Sequence, residues 1–410
     1  MSRAPHAAAP SGAPRPTLVT PVFVLVTFST FAYFVAIGVL LPTLPLYVRG
    51  PLGGGPAAVG LAVGAFAITS LVLRPFMGRI GDTRGRRVLL LAGGALAAAS
   101  SAGYVVAGSL AFVVAFRLLA GVAEACFFVG AAAAINDLAP DERRGEAVSL
   151  FSLALYGALA VGPVLGEFVL DRVSFDAVWL VSATAGAVAV LLAIAVPDTR
   201  TAIVADPPRS RIVNPAAVRP GLVLVASIWG FAGFSAFAAL YARSLGLSGS
   251  QLVFVEFAVI VLLIRSVGAR LPDRLGFVRC AQLALAANAV GLAVMGLWQT
   301  PAGLFTGTAM FAVGQGLAFP ALMSLAVGAA PASERGSVVG TFTAFFDLSY
   351  GVGAATLGGV AAALGYGQTL VAGALVAVVG FVPLAGIREP DRMRGPDEGL
   401  GVEGVEDPAG

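Results

Sequence analysis

The chain has 410 residues, 58% hydrophobic and 11% charged. That is far more apolar than a water-soluble domain, which is roughly half apolar, so a soluble globular protein is excluded and a membrane protein indicated. A scattered net charge of +3, carried by arginine with no lysine, offers no basic surface for nucleic acid; two distant cysteines, Cys126 and Cys280, and one histidine, His6, offer neither a disulfide framework nor a metal site.

In chain order, residues 1–20 form an Ala/Pro-rich tail that reads as disordered. A bilayer core about 30 Å thick is crossed by roughly 20 apolar residues in a helix. Runs of that length lie near 21–48, 57–77, 88–107, 110–135, 146–170 and 176–196, and the first is too long for a signal-peptide core. A polar, Pro-containing linker covers 197–219. Six further runs lie near 220–242, 249–269, 280–299, 301–328, 337–363 and 367–387. Residues 388–410 read as a disordered tail. The expected fold is therefore an all-α membrane protein of twelve spans, with bundles at 21–196 and 220–387.

The arginines orient these spans. With the N-terminus inside, the inner segments hold most of them, while only Arg49, Arg172 and Arg243 fall outside. This places both termini in the cytoplasm and the protein in the cell membrane. The stretch GRIGDTRGRR at 78–87 becomes a short cytoplasmic turn. It has a distant echo: Arg74 and Arg265, Arg79 and Arg270, Asp82 and Asp273, and Gly85 and Gly276 each lie 191 residues apart. Such spacing points to a parallel six-plus-six repeat.

On these residues the chain resembles the major facilitator superfamily, from about Pro21 to Arg388. The loop signature is matched by Gly78, Asp82, Gly85, Arg86 and Arg87; Thr83 stands where the family has arginine, with Arg84 following, whereas the second copy keeps Arg274 directly after Asp273. The resemblance implies alternating access, a cytoplasmic gate formed by this charge cluster, and activity as a monomer. Glycines permit the tight turn, and the carboxylate can take charge-assisted hydrogen bonds from arginines. A simpler role, anchoring the loop by the positive-inside rule, remains open. In the fifth span Gly162, Pro163 and Gly166 resemble a drug:proton antiporter signature, with Ala158 and Glu167 replacing its outer glycines; the alternative is that these glycines only pack helices, with no bearing on direction, and that Glu167 contacts Arg172.

Ionisable residues within the spans come next. Arg117, Gly121 and Glu124 share one stripe of the fourth span, the two charges about 10 Å apart along its axis. Asp347 lies roughly 15 Å deep in the eleventh span and Glu256 a third of the way into the eighth. A charge at the bilayer centre costs at least about 2.5 kcal/mol, so these groups are expected to face a cavity, one another or an interhelical partner. Glu124, Asp347 and Glu256 are the candidate proton carriers, with Arg117 tuning them. Phe31, Phe34, Phe128, Trp229, Phe234, Phe346 and Tyr350 are expected to line a cavity suited to an amphipathic compound.

The sequence reading is thus proton-coupled efflux of a small hydrophobic or amphipathic molecule, with no cofactor. Proton-coupled uptake and a non-transporting receptor are the alternatives. The nucleotide-binding pattern G-x-x-x-x-G-K-[ST] is absent, and no enzymatic activity is expected.

Overall fold

The computed structural model describes residues 18–140, 143–200, 213–267, 271–331 and 334–389. The helices are α1 (Pro21–Arg49), α2 (Pro56–Arg84), α3 (Arg86–Gly103), α4 (Leu110–Leu138), α5 (Arg144–Arg172), α6 (Phe175–Ile194) and α7 (Pro215–Ser244). They continue as α8 (Gln251–Ser266), α9 (Leu271–Leu275), α10 (Phe277–Leu297), α11 (Pro301–Gly328), α12 (Arg335–Leu364), α13 (Tyr366–Val379) and α14 (Phe381–Ala385). Among the described residues eleven helical segments are long and apolar enough to cross a membrane, α13 and α14 together forming one. The sixteen residues of α8 fall short of the others.

Helix starts follow local chemistry. Thr20, Asn214 and Thr300 each accept a hydrogen bond from a backbone N–H in the first turn, and proline follows each at the first helical position. These side chains satisfy donors that have no partner inside the helix, and proline lacks the N–H that would otherwise be orphaned. The turns entering α3 and α10 hinge on Gly85 and Gly276, with φ of 110° and 86°, a region that side-chain-bearing residues rarely adopt.

Two carboxylates, also 191 residues apart, cap these same helices. Asp198 accepts from the Arg86 N–H at 3.2 Å, and Glu389 accepts from Phe277 N–H at 2.5 Å. Each lies against the glycine of its turn, where a Cβ would meet the carboxylate. The tail boundary drawn at Arg388 is therefore corrected: Glu389 is tied to α10 by the helix N-terminus, which attracts an anion. The rest of that tail, and residues 1–17, lie outside the described residues.

Within the first half, α1 packs on α5 and α6, and α2 and α3 pack on α4; within the second, α7 packs on α12 and α13, and α10 on α11. The halves meet through α2 with α12, α5 with α8, and α1 with α7. Small residues set the approach. A Cβ on Gly64 would lie 2.7 Å from the Gly351 carbonyl oxygen, and one on Gly162 2.5 Å from Gly38 Cα. Gly162 and Gly166 thus allow α5 to seat on α1, which a larger side chain would prevent.

Candidate functional site

Between the halves lies a cavity of about 590 Å³ with mostly apolar walls. Its walls run to Asn136 near the end of α4 and to Met323 and Ser324 near the end of α11 at the arginine-rich face, and to Leu44 near the end of α1 and Ser101 near the end of α3 at the other. At the other face Glu167, buried in α5, reaches the N-terminus of α8. Its carboxylate accepts from Ser250 N–H at 2.8 Å, Ser250 Oγ at 2.5 Å and Gln251 N–H at 2.9 Å. The expected local partner, Arg172, instead lies over the Phe168 ring at 3.9 Å.

The polar groups of the cavity come from both halves. Asp347 of α12 is 2% exposed and faces Arg74 of α2, with Arg74 Nε 2.6 Å from Oδ2 and Arg74 Nη2 donating to Oδ1 at 2.9 Å. Ser70 Oγ donates to the same carboxylate at 3.3 Å, and the guanidinium carbon lies 5.0 Å from the Phe128 ring centre. The pair is thus one charge-assisted hydrogen bond, through Nη2, with a close ion contact at Nε, which itself makes no hydrogen bond among the described residues. Arg74 was legible in sequence only as a partner of Arg265 across the repeat.

Glu124 of α4 accepts a hydrogen bond from Tyr33 of α1 at 3.2 Å, and Tyr33 is held by stacking on Phe127 at 3.9 Å. Arg117 pairs with neither acid. It donates to the Ala62 and Val63 carbonyls of α2 at 3.1 and 3.0 Å and lies over Phe66. Gly121, one turn on, leaves no room for a Cβ against the Phe66 carbonyl, so the stripe serves the α4–α2 approach as well as the cavity.

Phe34, Phe128, Phe346 and Tyr350 line the cavity, as do Glu124, Asp347 and Arg117. Three expected aromatics do not. Phe234 packs among Phe254, Phe257 and Phe311 inside the second half, Trp229 sits against Gly353 of α12, and Phe31 lies beside Gly157. Glu256 is also kept from the cavity. It is half-buried on a stripe of α8 that also carries the exposed Leu252, Val259 and Leu263, and its Oε2 is a buried atom with no hydrogen-bond partner among the described residues. Apolar runs reveal depth along a helix, but the rotation of the helix decides which face an acid or ring presents.

The charge cluster at 78–87 is bound within its own half. Arg86 contacts Asp82 at 2.6 Å and Asp137 of α4 at 3.2 Å, and Arg87 donates to the Ile194 carbonyl at 2.6 Å. Arg200 contacts Asp198 at 2.5 Å and donates to the Thr83 carbonyl at 2.7 Å. Partial burial pushes the Asp198 carboxyl up, but hydrogen bonds from Arg200 and the Arg86 N–H outweigh this and hold it below the usual carboxylate range. Arg84 and Arg274 are exposed, and a Cβ on Gly78 would meet open space. The side chain of Asp273 lies outside the described residues.

The family model of the Major Facilitator Superfamily matches residues 26–354, with a second match at 251–401. An uncharacterised MFS-type transporter of Salmonella typhimurium is 31% identical over 371 residues, covering 87% of this chain and 93% of the relative. Another such protein, from Burkholderia mallei, is 28% identical over 384 residues, with 90% and 92% covered. Among solved structures, a POT family transporter in complex with 5-aminolevulinic acid superposes with a TM-score of 0.75 at 13% identity, covering 91% of this chain and 96% of that one. The chain belongs to the major facilitator superfamily, and is a multi-pass membrane transporter of small molecules.

Proposed function

We propose that the protein is a proton-coupled antiporter that exports a small hydrophobic or amphipathic compound across the cell membrane by alternating access. In this reading α8, about 24 Å long at 1.5 Å per residue, is the twelfth span, and both termini are cytoplasmic. The bundles extend over 21–196 and 220–387, joined by the linker at 197–219, and one chain suffices for transport.

The observation that carries the coupling is the Arg74–Asp347 pair. It joins α2 of one half to α12 of the other at the cavity wall. Protonation of Asp347 removes the charge facing Arg74 and weakens a contact that any rocking of the halves must rearrange. Glu124, held by Tyr33 in the first half, is the second proton carrier. Arg117 sets the positive potential around both, while Glu256 does not line the cavity and has the weaker geometric claim.

The Glu167 seal at the face opposite the arginines supports an inward-open state, although the cavity wall extends toward both faces, to Asn136 and Ser324 at one and to Leu44 and Ser101 at the other. Asp82, Arg86 and Arg87 engage their own half here, as a gate released from its partner half would do. In the opposite state Gly78, with space around it now, and Gly85 would let the second half approach.

The test is substrate-driven proton movement in proteoliposomes, read with a pH-sensitive dye against neutral, cationic and anionic amphiphiles. Flux that is lost in Asp347→Asn or Glu124→Gln is expected. Proton movement in the same direction as the compound would replace export with uptake, and no movement with any compound would remove the coupling.

A further inference from the structure

The repeat places a second arginine on the cavity wall. Arg265 of α8 lies 191 residues after Arg74 and, like it, lines the cavity. Across from Arg74 stands Asp347. The residue 191 before Asp347 is Tyr156 of α5, and Arg265 faces that phenol, its guanidinium carbon 4.6 Å from the ring centre. The same scaffold thus holds an ion pair on one side and a cation over an aromatic ring on the other.

Arg265 is poorly satisfied. One hydrogen bond reaches it, a long one of 3.5 Å to Ser152 Oγ, and its Nε is buried without a partner. Among the described residues it makes no ion pair. The cavity's other charges are engaged elsewhere: Arg74 and Asp347 with each other, Glu124 with Tyr33, and Arg117 with two backbone carbonyls. Ile264 fills the space over Gly316 of α11, which sets α8 against α11 so that Arg265 and Gln315 line one cavity.

A guanidinium presents a planar fork of N–H donors that matches a carboxylate in two parallel hydrogen bonds. In a cavity walled mainly by apolar and aromatic groups, an unpaired fork selects a ligand carrying both a carboxylate and an apolar body. We propose that Arg265 is the head-group site for an amphipathic carboxylate, whose apolar part lies against Phe34, Phe128 and Phe346. This rests on the reading of the cavity as the transport site and narrows its substrate class to organic anions.

The test is equilibrium binding of radiolabelled 1-naphthaleneacetate to the full-length protein in nanodiscs, with empty nanodiscs subtracted. Unlabelled 1-naphthalenemethanol and 1-naphthylmethylammonium serve as competitors sharing its ring. Saturable binding of the carboxylate at least ten-fold tighter than either competitor is expected. Arg265→Gln is expected to abolish the preference and Arg265→Lys to restore part of it, with elution as a single species in size-exclusion chromatography showing that each variant is folded. Absence of saturable binding, equal affinity for the three compounds, or an unchanged preference in Arg265→Gln would overturn the site. The binding measurement needs no proton gradient. Carboxylate preference without proton flux would therefore sink the coupling and leave the site standing, while proton-linked export confined to cations would do the reverse.

Discussion

The α2–α12 and α5–α8 contacts occupy equivalent places in the two repeats, yet they are built from opposite materials. On one side Gly60 and Gly64 of α2 meet Gly351, Ala354 and Gly358 of α12 almost backbone to backbone, and the charged pair Arg74–Asp347 follows further along. On the other, the residues 191 away from Gly358 and Gly60 are Glu167 and Gln251, and a buried carboxylate bonds to the start of α8. Further along, Arg265 faces Tyr156 in place of a carboxylate. Duplication supplies one backbone frame twice, while single substitutions on it make one interface a tight seam with an ion pair and the other a hydrogen-bonded seal whose cation lies over a ring and makes no ion pair among the described residues.

The largest break in this comparison comes from removing one member of the ion pair. Arg74→Ala strands the Asp347 carboxylate and is expected to cost about 3–5 kcal/mol of stability, whereas the double variant Arg74→Gln, Asp347→Asn loses much less. Thermal unfolding of the purified variants checks this; equal losses in both would mean that the pair is not coupled. Next, Glu167→Gln weakens charge-assisted hydrogen bonds worth about 1.5–3 kcal/mol at the closed face. A cysteine at Leu44, in a background lacking Cys126 and Cys280, is then expected to react faster with an impermeant thiol reagent applied from that face. Unchanged reactivity would show that Glu167 does not hold the seal.

A smaller effect is expected when the two walls are made alike. Tyr156→Asp gives Arg265 the carboxylate that its counterpart has, and the naphthaleneacetate preference is expected to fall roughly ten-fold, equivalent to about 1.4 kcal/mol. Retention of the preference would show that Arg265 is not its source. The smallest effect belongs to Asp198. Its folded carboxyl is held below the usual range, so the stabilisation is present above the unfolded value near about 3.9 and is lost as pH falls through the folded value. Since the group is partly exposed, about 1 kcal/mol is the ceiling. Wild type is expected to lose slightly more thermal stability than Asp198→Asn between pH 6 and pH 3, and identical losses would remove the cap's contribution.

The polar groups of the cavity are unevenly legible in the sequence. Glu124 and Asp347 stood out because an acid inside an apolar span demands a partner, and both are in the cavity. Glu256 carries the same signal but does not line the cavity. Arg74 and Arg265 were visible as a matched pair in the repeat, a clue to the scaffold rather than to the cavity. Tyr33 and Gln315 had no mark that separated them from ordinary residues of apolar helices. Glu389 looked like part of a polar tail, because a cap across 112 residues has no local signature.

The sequence alone determined the membrane setting, the apolar segments, the duplicated plan and the arginine-rich turns. These depend on composition, run length and spacing, which are properties of the chain read locally or against itself. Only the tertiary structure decided that Asp347 meets Arg74 rather than Arg117, that Glu167 crosses to α8, and that Arg265 has a ring where its twin has an acid. Those outcomes depend on helix rotation and on which half each helix faces, and turning a helix by about one residue, roughly 100°, exchanges one partner for another without changing hydrophobicity.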